Sequence, residues 1–408
     1  MNSDFIFNSL TEPIPPVRRD LQFIPVKNND RDLLFFYDSM GYMAPDFALD
    51  RKVEPVLALI TGDHSIQHII RQMNGNLSAD DLLQFIQLLD SHKALESEHY
   101  RLSSEQTEKE FENSEIREAA FAGESYPADP NELSDYISQL VEENSHPSKY
   151  PAKALYAPHI DLRVGDAAYG AAFSTLKDLK PKRVIILATA HYPAYYGNYY
   201  ENFPFIGTSK NFKIPGRELE TDREIIRMLD NPDTPNGFTV RDRAHRVEHS
   251  IELHLIFLSY LWKHDFKIIP VLVSGFEELY YHDQGDLSEK IDSFASQIKS
   301  LDDGNTFFLI SGDLSHVGKK FGDILPAEEL RADVEAMDLR FIEKAEQGNP
   351  QQLLQLIGDD YDSTRICGFP PLYIFLKAFP ETEGKQINYS WWDEKERESA
   401  VSFGAVRY

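Results

Sequence analysis

The chain has 408 residues, 42% hydrophobic and 26% charged, the composition of a globular protein with more sequence than one core needs. Its formal net charge of −26 repels phosphate backbones and anionic lipid, and it lacks a run of about 18 apolar residues, so neither nucleic acid nor a membrane is an expected partner. A single cysteine, Cys367, excludes an internal disulfide and fits a reducing, cytoplasmic setting; the stretch MNSDFIFNSL lacks the basic region and apolar core of a signal peptide.

Residues 1–102 read as a small accessory domain. DLLFFYDS (32–39) predicts a strand, and KVEPVLALIT (52–61) a helix ended by Gly62. Ser65 is placed to cap IQHIIRQM. Ser78 and Asp81 form a capping box before DLLQFIQLL, in which Leu82, Phe85, Ile86 and Leu89 share one face. With HYRLSS as a closing segment, these elements predict a winged-helix arrangement. Their order, above all ITGDHSIQHIIRQM followed by a helix and the exit ALES, resembles the PqqD-like winged-helix domains that bind peptides or partner enzymes; an ordinary helical accessory domain is the alternative. Residues 1–100 carry 8 Lys/Arg against 15 Asp/Glu, which argues against DNA. Residues 103–115, SSEQTEKEFENSE, read as a linker or a solvated helix.

From 116 to 408 strand and helix patterns alternate. Asp129, Pro130 and Glu132 supply a cap, a first-turn proline and a capping-box acid for PNELSDYISQLVEEN. AKALYAP, KRVIILAT, FKIIPVLVS and NTFFLISG are short apolar runs, each closed by a turn signal, and predict a largely buried α/β sheet.

His159, His191 and His316 each follow one of these runs. In an open α/β sheet ligands bind at the carboxyl ends of strands. Imidazole is also the commonest ligand for iron, zinc and copper, so three of them at strand ends predict one shared pocket. Any one of them alone reads first as a structural histidine that caps a turn or packs in a loop. Cys367 precedes Gly368 and a Pro-Pro pair; it reads as a small buried hydrophobe or, near a helix start, as a metal ligand or nucleophile. His245, Glu248 and His249 spell H-x-x-E-H, a zinc-peptidase pattern whose histidines share a face if the segment is helical. A peptidase needs a further ligand, and the chain shows no independent signature for one.

The stretches REAAFAGESYPADP, APHID, VIILATAHYP, VEHSIELHLIFL, KIIPVLVSG, SGDLSHVGK, RICGFPPL and VSFGAVRY, in this order over about 290 residues, resemble the MEMO family, also called AmmeMemoRadiSam system protein B. The resemblance implies a fold similar to class III extradiol dioxygenases: a mixed sheet flanked by helices. It implies metal ligands at His159, His191 and Cys367, with iron or copper in preference to zinc. His316 matches a pocket histidine that acts as acid/base in the related dioxygenases, and Asp313 an acidic position beside it. His249 and Glu248 fall on a helix beside the pocket. The family name implies radical-SAM and AMMECR1-like proteins as partners.

Three classes of function follow: a metal protein with redox or dioxygenase-like chemistry, a non-catalytic module binding a peptide or small molecule, and a hydrolase using zinc at His245 and His249 or the thiol of Cys367. This chain departs from the family pattern at Ile160 and Asp161, where two small residues are usual. It departs again at Tyr192, where a second histidine often follows.

Overall fold

The structure, a computed structural model, describes residues 5–28, 31–73, 77–145, 152–380 and 382–408; the start of the stretch read for a signal peptide, residues 1–4, lies outside them. The chain divides into two compact units, Met1–Asn113 and Ser114–Tyr408.

In the first unit, strands Leu21–Asn28, Arg31–Asp38 and Ala48–Asp50 form an antiparallel sheet. The second strand takes up the DLLFFYDS run. The first has no counterpart among the sequence expectations, because Pro25 interrupts it and six of its eight residues are exposed, which erases the alternation that marks a strand. The helix expected at 52–61 is shorter: after Glu54–Leu57 the amides of Leu59 and Ile60 turn back to the carbonyls of Val56 and Leu57, tightening the chain out of the α conformation. Ser65 accepts from the amide of His68 and Ser78 from that of Asp81, the two caps read from sequence. Leu82, Ile86 and Leu89 are fully buried. HYRLSS is helical, and residues 103–113 complete the same helix, Glu98–Asn113. That helix is anchored: its buried Glu108 accepts a 2.5 Å hydrogen bond from Tyr42. Arg18, 1% exposed, is gripped by Asp20 and Asp38 and lies over Tyr100.

In the second unit, a nine-stranded mixed sheet carries helices on both faces. Its centre is four parallel strands in the order Lys267–Val273, Arg183–Thr189, Thr306–Ser311, Ala154–Ala157, which are the four apolar runs predicted. The last strand, Ser399–Arg407, runs antiparallel beside Ala154–Ala157 and also pairs with Lys385–Glu394. Side chains alternate across the pleat. Val184, Ile186 and Ala188 pack with helices Pro130–Glu143, Leu162–Ser174 and His249–Leu261. Ile185 and Leu187 pack with helices Asp286–Ser300, Ala327–Glu346, Pro350–Gly358 and Phe369–Ala378. Burial on both faces explains why these strands read as continuous apolar runs.

Because the four central strands point the same way, the residues after Ala157, Thr189 and Ser311 emerge along one edge of the sheet. His316 is placed differently from the expectation. It does not follow directly from Thr306–Ser311 but opens a short strand, His316–Gly318, antiparallel to Ser399–Arg407. Among the described residues no helix is long and apolar enough to cross a membrane.

Candidate metal centre

His159 leaves strand Ala154–Ala157 almost fully buried. Its backbone amide donates to Asp313 Oδ1 at 3.0 Å. Its Nδ1 lies 3.0 Å from Ser311 Oγ, and that hydroxyl lies 2.6 Å from the carbonyl of Ser250. A carbonyl only accepts, so the single hydroxyl hydrogen of Ser311 is committed to Ser250, and its oxygen must accept from the ring. His159 therefore carries its hydrogen on Nδ1, and the lone pair on Nε2 faces Cys367 Sγ at 3.4 Å.

His191 leaves strand Arg183–Thr189 and is held by Glu248. Its amide donates to Oε2 at 2.8 Å, and Nδ1 lies 2.9 Å from Oε1. Glu248 is the N-cap of helix His249–Leu261, and its carboxylate also accepts from the amides of His249 and Ser250. Burial opposes its charge, but His191 and His249 overcome this and hold the carboxyl down at about 2. An ionised carboxylate only accepts, so His191 too carries a hydrogen on Nδ1; burial works against a charged ring, but the charge and hydrogen bond of Glu248 outweigh it and raise its value, so Nε2 is the nitrogen that would give up its proton to an ion.

Cys367 arrives from a loop just before helix Phe369–Ala378. A Cβ on Gly312 would stand 2.1 Å from the Cα of Gly368, and one on Gly368 would meet the Tyr156 hydroxyl at 2.1 Å. The two glycines let the loop press onto the strand end. The amide of Asp313 then donates to Cys367 Sγ at 3.3 Å, and Gly368 donates to the Asp313 carbonyl at 2.9 Å. Burial, and after it the charge of Asp313, push the thiol well above its ordinary range, so without a cation the sulfur keeps its proton.

Three hydroxyls strap these parts together. Ser311 donates to the Ser250 carbonyl, Ser250 to the Thr189 carbonyl at 2.8 Å, and Thr189 to the Cys367 carbonyl at 2.8 Å. All three are buried, and together with the Sγ–Nε2 contact they close a ring through His159 and Cys367. Sequence reasoning missed them, as it missed Gly312. The only signal was a small hydroxyl residue at the end of two strands, in LAT and LIS.

The ligand atoms of His159, His191 and Cys367 all lie within 4.8 Å of one another, close enough to share one ion. His191, Glu248 and His249 form a second group of that size, but the Glu248 oxygens already serve the two histidines and the helix amides, so it acts as an orienting carboxylate. The His249 ring stacks on His191 at 4.7 Å and meets His159 edge-on at 5.2 Å. Burial, then the neighbouring charge of His191, lower His249 to about 4. Burial, then His191 and His249, keep His159 well below its usual range and hence neutral, the form a metal needs. Asp313, with His159 and Ile160 amides on Oδ1, is pushed up to about 7 by burial. His316 Nδ1 lies 3.0 and 3.1 Å from the carbonyls of Leu314 and Arg365, leaving its lone pair on Nε2; burial lowers it to about 4.

The peptidase expectation meets a different geometry. The helix starts at His249, with Glu248 as its cap, while His245 sits in the preceding turn Arg243–His245. His245 is buried. Its Nε2 lies 2.9 Å from the Ile206 carbonyl, and it belongs to neither group of candidate ligands. It and His249 share no helix face.

Two of the three departures from the family pattern, Ile160 and Asp161, are accommodated locally. Ile160 occupies the space that a Cβ on Gly165 would need, and Asp161 caps helix Leu162–Ser174 while paired to Arg163 at 2.7 Å. Arg117 and Glu252 form a buried pair, and Arg117 donates to the carbonyls of His245 and Glu248, bracing the start of the helix from behind.

The family model described as Memo-like protein matches residues 117–407. A MEMO1 family protein of Aquifex aeolicus is 28% identical over 377 residues, covering 90% of this chain and 94% of its own length. Since that is more than the second unit contains, the similarity runs into the first. A MEMO1 family protein of Thermus thermophilus is 27% identical over 327 residues, covering 78% and 92%. Protein MEMO1 of Xenopus laevis is 26% identical over 281 residues, covering 67% of this chain and 88% of its own. With its mixed sheet, its strand-end histidines and a family match that spans nearly all of the second unit, this chain belongs to the Memo-like family.

Proposed function

We propose that the second unit binds one redox-active transition-metal ion, iron or copper in preference to zinc, on His159 Nε2, His191 Nε2 and Cys367 Sγ. The observation that carries this is the approach of these three side chains to within 4.8 Å, with both Nδ1 atoms committed to acceptors behind them. The donor set fits such an ion: two imidazoles held through Nδ1, and a thiol, whose remaining protons a cation would displace. An ion there supplies one-electron chemistry, and class III extradiol dioxygenase-like redox activity is the proposed reaction class. Among the chain's own groups, His249 and Glu248 shape the pocket and orient His191. Asp313, poised near neutrality, and the Nε2 lone pair of His316 are its proton-handling groups. The first unit serves as a PqqD-like winged-helix module that recruits radical-SAM and AMMECR1-like partners in a cytoplasmic setting; similarity to the Aquifex protein that runs into this unit supports a role coupled to the metal domain.

The test is metal content after anaerobic purification without an affinity metal column. Close to one iron or copper per chain is expected, lost in both His159→Ala and Cys367→Ser. Stoichiometric metal retained by both variants would sink the assignment. No uptake after reconstitution with Fe(II) or Cu(I) would turn the pocket into a binding module for a peptide or small molecule.

A further inference from the structure

We propose that Ser311 is the positioning residue that selects which nitrogen of His159 faces the site. A neutral imidazole offers one lone pair, and the group that accepts from the other nitrogen decides which nitrogen offers it. For His191 that group is the charged Glu248; for His159 it is a neutral hydroxyl that would serve either as donor or acceptor were it free to rotate. It is not free: the Ser250 carbonyl at 2.6 Å takes its hydrogen, and that carbonyl belongs to a helix fixed by its own Glu248 cap and by the Ser250 hydroxyl on Thr189. Ser311 Oγ is thereby turned into a pure acceptor for His159 Nδ1, and Nε2 is left bare toward Cys367 Sγ. Both Ser311 and Ser250 are fully buried, so this pair of hydrogen bonds is sheltered from bulk solvent. The consequence for metal affinity rests on the metal site proposed above; the tautomer itself does not.

The experiment uses full-length, metal-free protein labelled with 15N-histidine and reads long-range proton–nitrogen correlations. His159 is expected to show a protonated Nδ1 and a bare Nε2. Ser311→Ala should shift His159 toward the Nε2–H form while leaving His191 unchanged, and Ser311→Thr, which keeps the hydroxyl, should restore the original pattern. In a competitive Co(II) titration Ser311→Ala should bind about 10–100-fold more weakly than the parent chain, with Ser311→Thr recovering most of the loss. A wild-type His159 protonated on Nε2 overturns the proposal, and so does a Ser311→Ala variant with unchanged tautomer and Co(II) affinity. A wild-type chain with the expected tautomer that binds neither Co(II) nor, on reconstitution, Fe(II) or Cu(I) would refute the metal site while leaving the tautomer selection by Ser311 standing.

Discussion

Gly312 and Gly368 touch backbone to backbone: a methyl group on Gly312 would stand 2.1 Å from the Cα of Gly368. One residue follows the strand Thr306–Ser311 and the other follows Cys367, so this contact sets how near the sulfur comes to the sheet edge. The obstructing atoms are backbone and cannot swing aside as a side-chain tip would.

Gly312→Ala should therefore displace the Cys367 loop. Overpacking of this kind costs about 1–3 kcal/mol. The expected result is a folded chain with lowered denaturation midpoint and metal content reduced toward that of Cys367→Ser. Wild-type metal content in Gly312→Ala would show that the close approach does not position the thiol.

Glu248→Gln keeps the shape of the cap but places an amide NH2 among groups that donate. His191 loses a charged acceptor on Nδ1, and with the amide oxygen kept at the Oε1 place that serves Nδ1 and both helix amides, the NH2 faces the donating backbone amide of His191. Metal affinity should fall by about 10–100-fold, measured by competition with a chromophoric chelator. A fall of that size with unchanged circular dichroism separates orientation of His191 from loss of the helix.

His245→Asn tests the zinc-peptidase spelling. The residue supports the fold through Ile206 and sits outside both ligand groups. Bound metal per chain should stay unchanged, while stability falls by about 1–3 kcal/mol for the disturbed buried hydrogen bond. Metal lost with His245 but kept without Cys367 would restore the peptidase assignment.

In the first unit, burial works to raise the carboxyl of Asp38, but the hydrogen bonds and charge of Arg18, with the amides of Met43 and Met40, more than offset it, so its value lies below the ordinary one. Folding thus favours the ionised form. That contribution is complete above the unfolded carboxylate value and is lost as the pH falls through the lowered folded value. Asp38→Asn should weaken hydrogen-exchange protection of strand Arg31–Asp38 at neutral pH. The gap from wild type should narrow in acid. A gap that stays constant down to acid pH would mean that the Arg18–Asp38 charge pair carries none of the effect.

Much of the fold is legible in the chain because its signals are local. The four central strands announce themselves as short apolar runs with turn signals after them, and the caps at Ser65, Ser78 and Asp129 sit where short polar side chains precede apolar periodicity. Strand Leu21–Asn28 was not legible, since Pro25 and its exposed residues leave no alternation to find. Nor was the end of the helix spelled H-x-x-E-H: the same letters suit a helix through His245, and only the reach of the Glu248 side chain to the amides of His249 and Ser250 starts it later.

The candidate site divides along the same line. Residue type and place in the chain were enough to bring His159 and His191 to one sheet edge, because parallel strands deliver their following residues together. The third member could not be located that way. Cys367 stands 208 residues from His159, and what sets its sulfur 3.4 Å from Nε2 is a glycine–glycine contact and a ring of three buried hydroxyls. Which donors a chain owns is written in its letters. The direction in which each lone pair points is decided by acceptors that lie far away in sequence and meet only when the sheet, the helices and the loop have packed.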